Sequence, residues 1–170
     1  AGMRFVISMR SGRTWKEFNE IYRRPPVSTE QILHPKRYAA RDEPVILRYD
    51  PGPVLDAYDR IYDTVLGEFQ MRLFLREHLD DESKPSSDRA IDVARATTGW
   101  DGDRLFAFRN DQGRVILTHL SVWDSSEDAK EYYNALVTVQ GRRFPETATH
   151  TADGEHGAST CMHTDSGDRR

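Results

Sequence analysis

Four side chains with metal-ligand chemistry fall within fourteen residues near the end of the chain: His150, His156, Cys161 and His163. Zinc takes four imidazole or thiolate ligands in a tetrahedron, and a turn at Asp153-Gly154 could bring two extended segments carrying these residues side by side. The spacing His-x5-His-x4-Cys-x-His matches no established zinc pattern, however. A solvated hairpin is therefore the reading to beat. A second pair, Glu30 and His34, stands four residues apart on a short helix and so shares a face. Such a couple can form a structural ion pair, or it can move protons on a substrate. A histidine directly before a proline at a helix end also serves the orphan carbonyls there, which favours the structural role.

The common enzyme fingerprints are missing. The chain has no Gly-rich phosphate loop, no Gly-x-Ser-x-Gly elbow, no His-Glu-x-x-His and no Cys-x-x-Cys. His78, beside Glu77 near the end of a long helix, and His119, between Leu117 and Leu120 on a strand, read as structural side chains. Trp100-Asp-Gly-Asp-Arg104 and Trp123-Asp-Ser125 read as turns, with carboxylates capping amides and the indoles anchored in the core.

These residues must be positioned by recognisable elements. An apolar helix opens the chain; Thr14-x-x-Glu17 is a capping box for a second, amphipathic helix carrying Trp15, Phe18, Ile21 and Tyr22. Pro25-Pro26 ends it, Ser28 caps a short helix, and His34-Pro35 stops that one. Val45 to Tyr49 and, less sharply, Tyr58 to Asp63 have strand character. Thr64 to Leu79 is a helix whose stripe holds Leu66, Phe69 and Leu73, widened by Phe74, Leu75 and Leu79. Ser87 caps a helix that Gly99 closes. Arg104 to Arg109, a turn at Asn110 to Gly113 and Val115 to Trp123 form a hairpin, and Ser125 caps a helix running to Gly141. The order predicts an α+β fold: N-terminal helices, then a mostly antiparallel sheet packed with helices.

The chain is 170 residues long, with 24 Lys and Arg against 28 Asp and Glu and a net charge of −4. That balance leaves no basic footprint for nucleic acid. The apolar runs are far shorter than the roughly 20 residues that span a bilayer, so no membrane span is expected. The lone Cys161 makes no internal disulfide.

The stretch Tyr22-Arg-Arg-Pro-Pro-Val-Ser-Thr-Glu-Gln-Ile-Leu-His-Pro-Lys-Arg-Tyr38, with Leu66-Gly-Glu-Phe69, Gly99-Trp-Asp-Gly-Asp-Arg104 and Val122-Trp-Asp124, resembles the C-terminal part of uncharacterised prokaryotic proteins related to zincin-like metallopeptidases. The sequence departs from that pattern at Lys36-Arg37, where an acidic residue is expected. In those proteins the metal-binding helix, where present, lies upstream. The resemblance thus implies a non-catalytic C-terminal portion of a secreted, metallopeptidase-like parent. Zinc would belong to that parent and no cofactor to the residues here, and an extracellular or cell-envelope place follows from the resemblance alone. On this view residues 1–43 are a helical segment packing on an upstream domain of the same polypeptide, and 44–170 an α+β domain truncated near its end. The rival reading is a self-contained module without enzymatic activity that binds a peptide, protein or small ligand on a concave face of the sheet. Phe106, Phe108, Trp123, Tyr132 and Tyr133 would line that face, and an apolar cleft with converging polar groups would be its signature.

Overall fold

A computed structural model describes residues 1–50, 52–79, 91–144, 148–154 and 157–163, with the last two segments described by their backbone. The chain divides into two compact units, Ala1–Met71 with Gly99–Asp124, and Arg72–Thr98 with Ser125–Arg170. The expected α+β class is what the structure shows. Residues 1–43 share the first unit with the three-stranded sheet.

Four helices open that unit: α1 (Gly2–Arg10), α2 (Trp15–Arg23), α3 (Thr29–Leu33) and α4 (Pro35–Ala40). The capping box that starts α2 forms in full, with Thr14 and Glu17 each satisfying the other's backbone amide. Ser28 Oγ accepts from Gln31 N at 3.1 Å and starts α3. His34-Pro35 ends α3 as expected, but Pro35 also opens α4, which the sequence reading missed. Proline is accepted at the first helical position, where no intrahelical partner awaits its missing N–H. Phe5, Met9, Phe18 and Tyr38 make a small core between these helices, with Ile21 and Ile32 against it. Trp15 and Tyr22, assigned to the same stripe of α2 by spacing, are exposed.

The sheet has order β1 (Asp59–Thr64), β2 (Trp100–Arg109), β3 (Val115–Trp123), antiparallel throughout. The hairpin β2–β3 pairs Phe106 with Thr118 and Phe108 with Ile116. Two expectations fail here. Val45 to Tyr49 forms no strand: Val45 N bonds Asp101 O at 2.6 Å, and no strand ladder follows it. Trp100-Asp-Gly-Asp is no turn but the start of β2, with a register shift between Trp100 and Gly102. Gly102 is required there by contact and not by an unusual dihedral, because a Cβ would run into the Val45 carbonyl.

Helix α5 (Gly67–Leu79) begins in the first unit and ends in the second. It buries Glu68, Met71, Leu75 and Leu79, whereas Phe69, Leu73 and Phe74 are partly exposed. The true stripe is therefore rotated from the one expected, because a buried carboxylate sits where spacing favours an apolar residue. In the second unit α6 (Val93–Thr97) is capped by Asp92, whose carboxylate accepts from Ala94 N and Arg95 N; Ser87, the cap expected, lies outside the described residues. Helix α7 (Ser126–Arg143) follows its Ser125 cap, carries buried Tyr132, Ala135 and Val139, and is tied to α6 by an Arg95–Glu131 ion pair. His78 accepts a bond from Arg142 through its carbonyl at 3.1 Å and rests on Phe74, as a structural histidine should. A hairpin of β4 (Ala148–Gly154) and β5 (Gly157–His163) closes the described chain. Among the described residues no helix is long and apolar enough to cross a membrane.

Candidate functional site

Every polar side chain of the segment Ser28 to His34 has a structural task. Thr29 Oγ1 accepts from Phe69 N at 3.2 Å, serving the first turn of α5. Gln31 accepts from Val27 N at 2.9 Å and donates to Asp42 O at 2.5 Å. His34 Nε2 meets the Glu68 carboxylate at 2.9 Å. Glu30, with its side chain 3% exposed, has Arg37 Nε 3.6 Å from Oε1, and that oxygen accepts no hydrogen bond among the described residues. Arg37 also pairs with Asp42 and Asp124.

Burial is the main force on Glu30. It pushes the carboxyl up to about 7, against the pull of Arg37 and with help from the charges of Glu68, Asp124 and Asp42. The pair expected from spacing, Glu30 with His34, is thus replaced by two crossed pairs, His34 with Glu68 and Arg37 with Glu30. Spacing identified residues on one face but could not show what stands opposite. The missing partner, Glu68, lay in the sequence directly after Gly67, at a helix start.

The second polar node is Asp103, fully buried. Its Oδ1 accepts from Gly67 N at 2.8 Å and Trp100 Nε1 at 3.0 Å; its Oδ2 accepts from Leu66 N at 2.9 Å and lies 3.4 Å from His119 Nε2. A carboxylate here serves the orphan amides at the start of α5 and sits at the positive end of its dipole. Gly67 fits because its φ is +71° and a Cβ would meet Thr29 Oγ1. His119 is partly buried on its strand, with Nε2 3.4 Å from Asp103 Oδ2.

Neither node lines the cavity on the sheet. That cavity, about 460 Å³, is lined by Tyr49, Leu55, Tyr58, Phe106 and Phe108, with Asp50, Asp56 and Arg60 as its charged lining residues. Strand β2 supplies the floor: Phe106 and Phe108 lie two apart and so project to one face, their rings 6.0 Å apart. The walls come from the segment before β1, where Gly52 (φ +59°) opens a short 3₁₀ turn, Gly52–Leu55, and returns the chain so that Tyr49 and Tyr58 both reach the floor. Tyr49 lies 5.3 Å from Phe106 between ring centroids. Of the five aromatics named for a binding face, Phe106 and Phe108 line the cavity. Trp123 instead donates to Ser121 Oγ at 2.9 Å, and Tyr132 and Tyr133 belong to α7. Sequence reasoning missed Tyr49, Leu55 and Tyr58, although Asp50-Pro-Gly-Pro53 between two tyrosines marks a turn that brings them back together. A smaller cavity of about 240 Å³ beside Tyr38 is lined by Arg13, Glu17 and Glu20, which are already engaged in local bonds.

The C-terminal donors are brought partly together. The β4–β5 register sets His150 opposite Cys161 and Ala148 opposite His163, while His156 lies outside the described residues. Among the described residues no group of three or more His, Cys, Asp or Glu is arranged to hold a metal ion.

A family model described as Domain of unknown function (DUF8575) matches residues 53–169. No curated protein and no solved structure matches the chain. The matched stretch contains the cavity floor and one of its walls; the segment Ser28 to His34 precedes it.

Proposed function

We propose, from the premise that this chain belongs to the DUF8575 family of domains of unknown function, that it is a ligand-binding module without enzymatic activity, whose site is the cavity floored by Phe106 and Phe108. One observation carries the reading: a cavity of about 460 Å³ with an aromatic floor, whose lining also includes Asp50, Asp56 and Arg60. That size falls within the range of small-molecule sites, roughly 300–1,000 Å³, and an apolar wall with sparse polar groups is their usual make-up. The acid–base candidates argue the same way, since His34 is held by Glu68 of α5 and Glu30 of α3 faces Arg37 of α4. The test is a ligand-observed NMR screen of small aromatic compounds, with hits placed by amide shifts. Shifts gathered at Tyr49, Gly52, Asp56, Phe106 and Phe108 are expected; hits that map consistently elsewhere would contradict the site.

A second reading is compatible with the first and has its own support. Met3, Ile7, Trp15, Tyr22 and Val27 are all more than half exposed on α1, α2 and the link to α3. Exposed apolar side chains on these elements suit a surface that another domain covers. The sequence resemblance offers that domain: a metallopeptidase-like region upstream, of which this module would be the non-catalytic C-terminal neighbour. Casein hydrolysis by the chain, measured with and without a chelator, is expected to be nil in both; chelator-sensitive cleavage would end this reading.

A further inference from the structure

The same cavity carries a charge pattern that narrows its ligand, an inference that rests on the binding reading above. Among the described residues lining it, Arg60 is the only cation, and it turns toward a carboxylate outside the lining: Nη1 lies 3.5 Å from Asp63 Oδ2, an aspartate that Arg104 Nε also contacts, at 2.5 Å. The two lining carboxylates are less engaged. Asp50 uses Oδ1 to accept from Gly52 N at 2.9 Å, and the Asp56 carboxylate makes no hydrogen bond or ion pair with the described residues. Beneath them lie aromatic rings, whose faces are negative and attract cations. The molecule displays that attraction itself, with the guanidinium carbons of Arg60 and Arg104 each 5.9 Å from the centroid of Phe106.

We infer that the ligand is a small organic cation, an amine or guanidine on a flat apolar body, with its head toward Asp56 and Asp50 and its body on the rings of the floor. The alternatives are each penalised by something present. An anion would meet two carboxylates, an inorganic cation would leave the apolar floor uncovered, and a neutral aromatic would leave the Asp56 carboxylate without a partner as it lost water. Charge complementarity of this kind sets which ligand is chosen more than how tightly any ligand binds.

The test uses three probes of one shape and different charge: phenethylamine, 2-phenylethanol and phenylacetate, titrated calorimetrically into the whole chain. Phenethylamine is expected to bind roughly tenfold or more tightly than 2-phenylethanol, with phenylacetate weakest, and rising salt should narrow the gap. Asp56→Asn, a wall substitution that should leave the thermal unfolding curve in place, is expected to cost the amine about tenfold and the alcohol little. Arg60→Met removes the one of the two ring-side arginines that lines the cavity and should tighten the amine. Equal binding of amine and alcohol, or preference for the acid, would overturn the assignment of a cation while leaving the cavity as a site. Absence of binding by all three would count against the cavity itself.

Discussion

Replacing Asp103 by alanine is expected to lower unfolding stability by about 3–5 kcal/mol, the range for removing one partner from a buried charged network. The side chain is fully buried, and removal leaves the amides of Leu66 and Gly67, the indole N–H of Trp100 and the His119 imidazole facing a void. Asparagine keeps the shape but turns an NH₂ group toward two of those donors, so about 2–3 kcal/mol is expected for Asp103→Asn. Urea unfolding at pH 7 measures both; a loss under about 1 kcal/mol with an unchanged slope would show that the carboxylate is not the tie between α5 and β2. The pH dependence has a definite sign. Burial raises the Asp103 carboxyl, yet hydrogen bonds from His119, Leu66 and Gly67, with the charge of His119, outweigh it and hold the pKa below the usual value. Its stabilisation is therefore present above the unfolded-state pKa and fades as pH falls through the folded value. The asparagine variant should lose that part of the acid dependence.

Glu30→Gln is expected to act in the opposite direction. A carboxyl raised from 4.5 to about 7 binds its proton more tightly in the folded chain than in the unfolded one. Its contribution is full below the unfolded pKa and is lost as pH rises through about 7, a difference near 3 kcal/mol for such a shift. Glutamine is never charged and leaves Arg37 its partners Asp42 and Asp124. We expect the variant to be more stable than the parent by about 2–3 kcal/mol at pH 8 and by little at pH 5. Thermal unfolding at the two pH values checks this. A variant that is less stable at pH 8 would show that the Arg37–Glu30 attraction outweighs the cost of burying the charge, as occurs when a buried pair is well bonded.

The parts of this fold that depend on neighbouring residues were legible in the sequence. The Thr14–Glu17 capping box, the Ser28 and Ser125 caps and the β3 boundaries at Val115 and Trp123 follow from side chains within a few positions of the backbone they serve. What depends on residues brought together from afar was not. The stripe of α5 was misplaced because Glu68 is buried by a histidine thirty-four positions away. Gly102 was given to a turn because nothing local announces that Val45 will run against it. The cavity was half legible. Alternation placed Phe106 and Phe108 on one face, but that this face would meet Tyr49 and Tyr58 was decided by the turn at Gly52.

A pattern joins these cases. The residues most suggestive of chemistry by type, Glu30 and His34, are engaged in packing α3 and α4, whereas the residues that leave room for a ligand are aromatics resembling ordinary core. Buried ionic groups facing one another hold elements in place; space bounded by rings and partly engaged carboxylates is where another molecule can still gain contacts.

The most direct measurement is a crystal structure of the chain soaked with phenethylamine. Density for the probe is expected over Phe106 and Phe108, with its ammonium group within hydrogen-bond reach of the Asp56 carboxylate. Probe density at another surface, with this cavity filled by water alone, would contradict that placement.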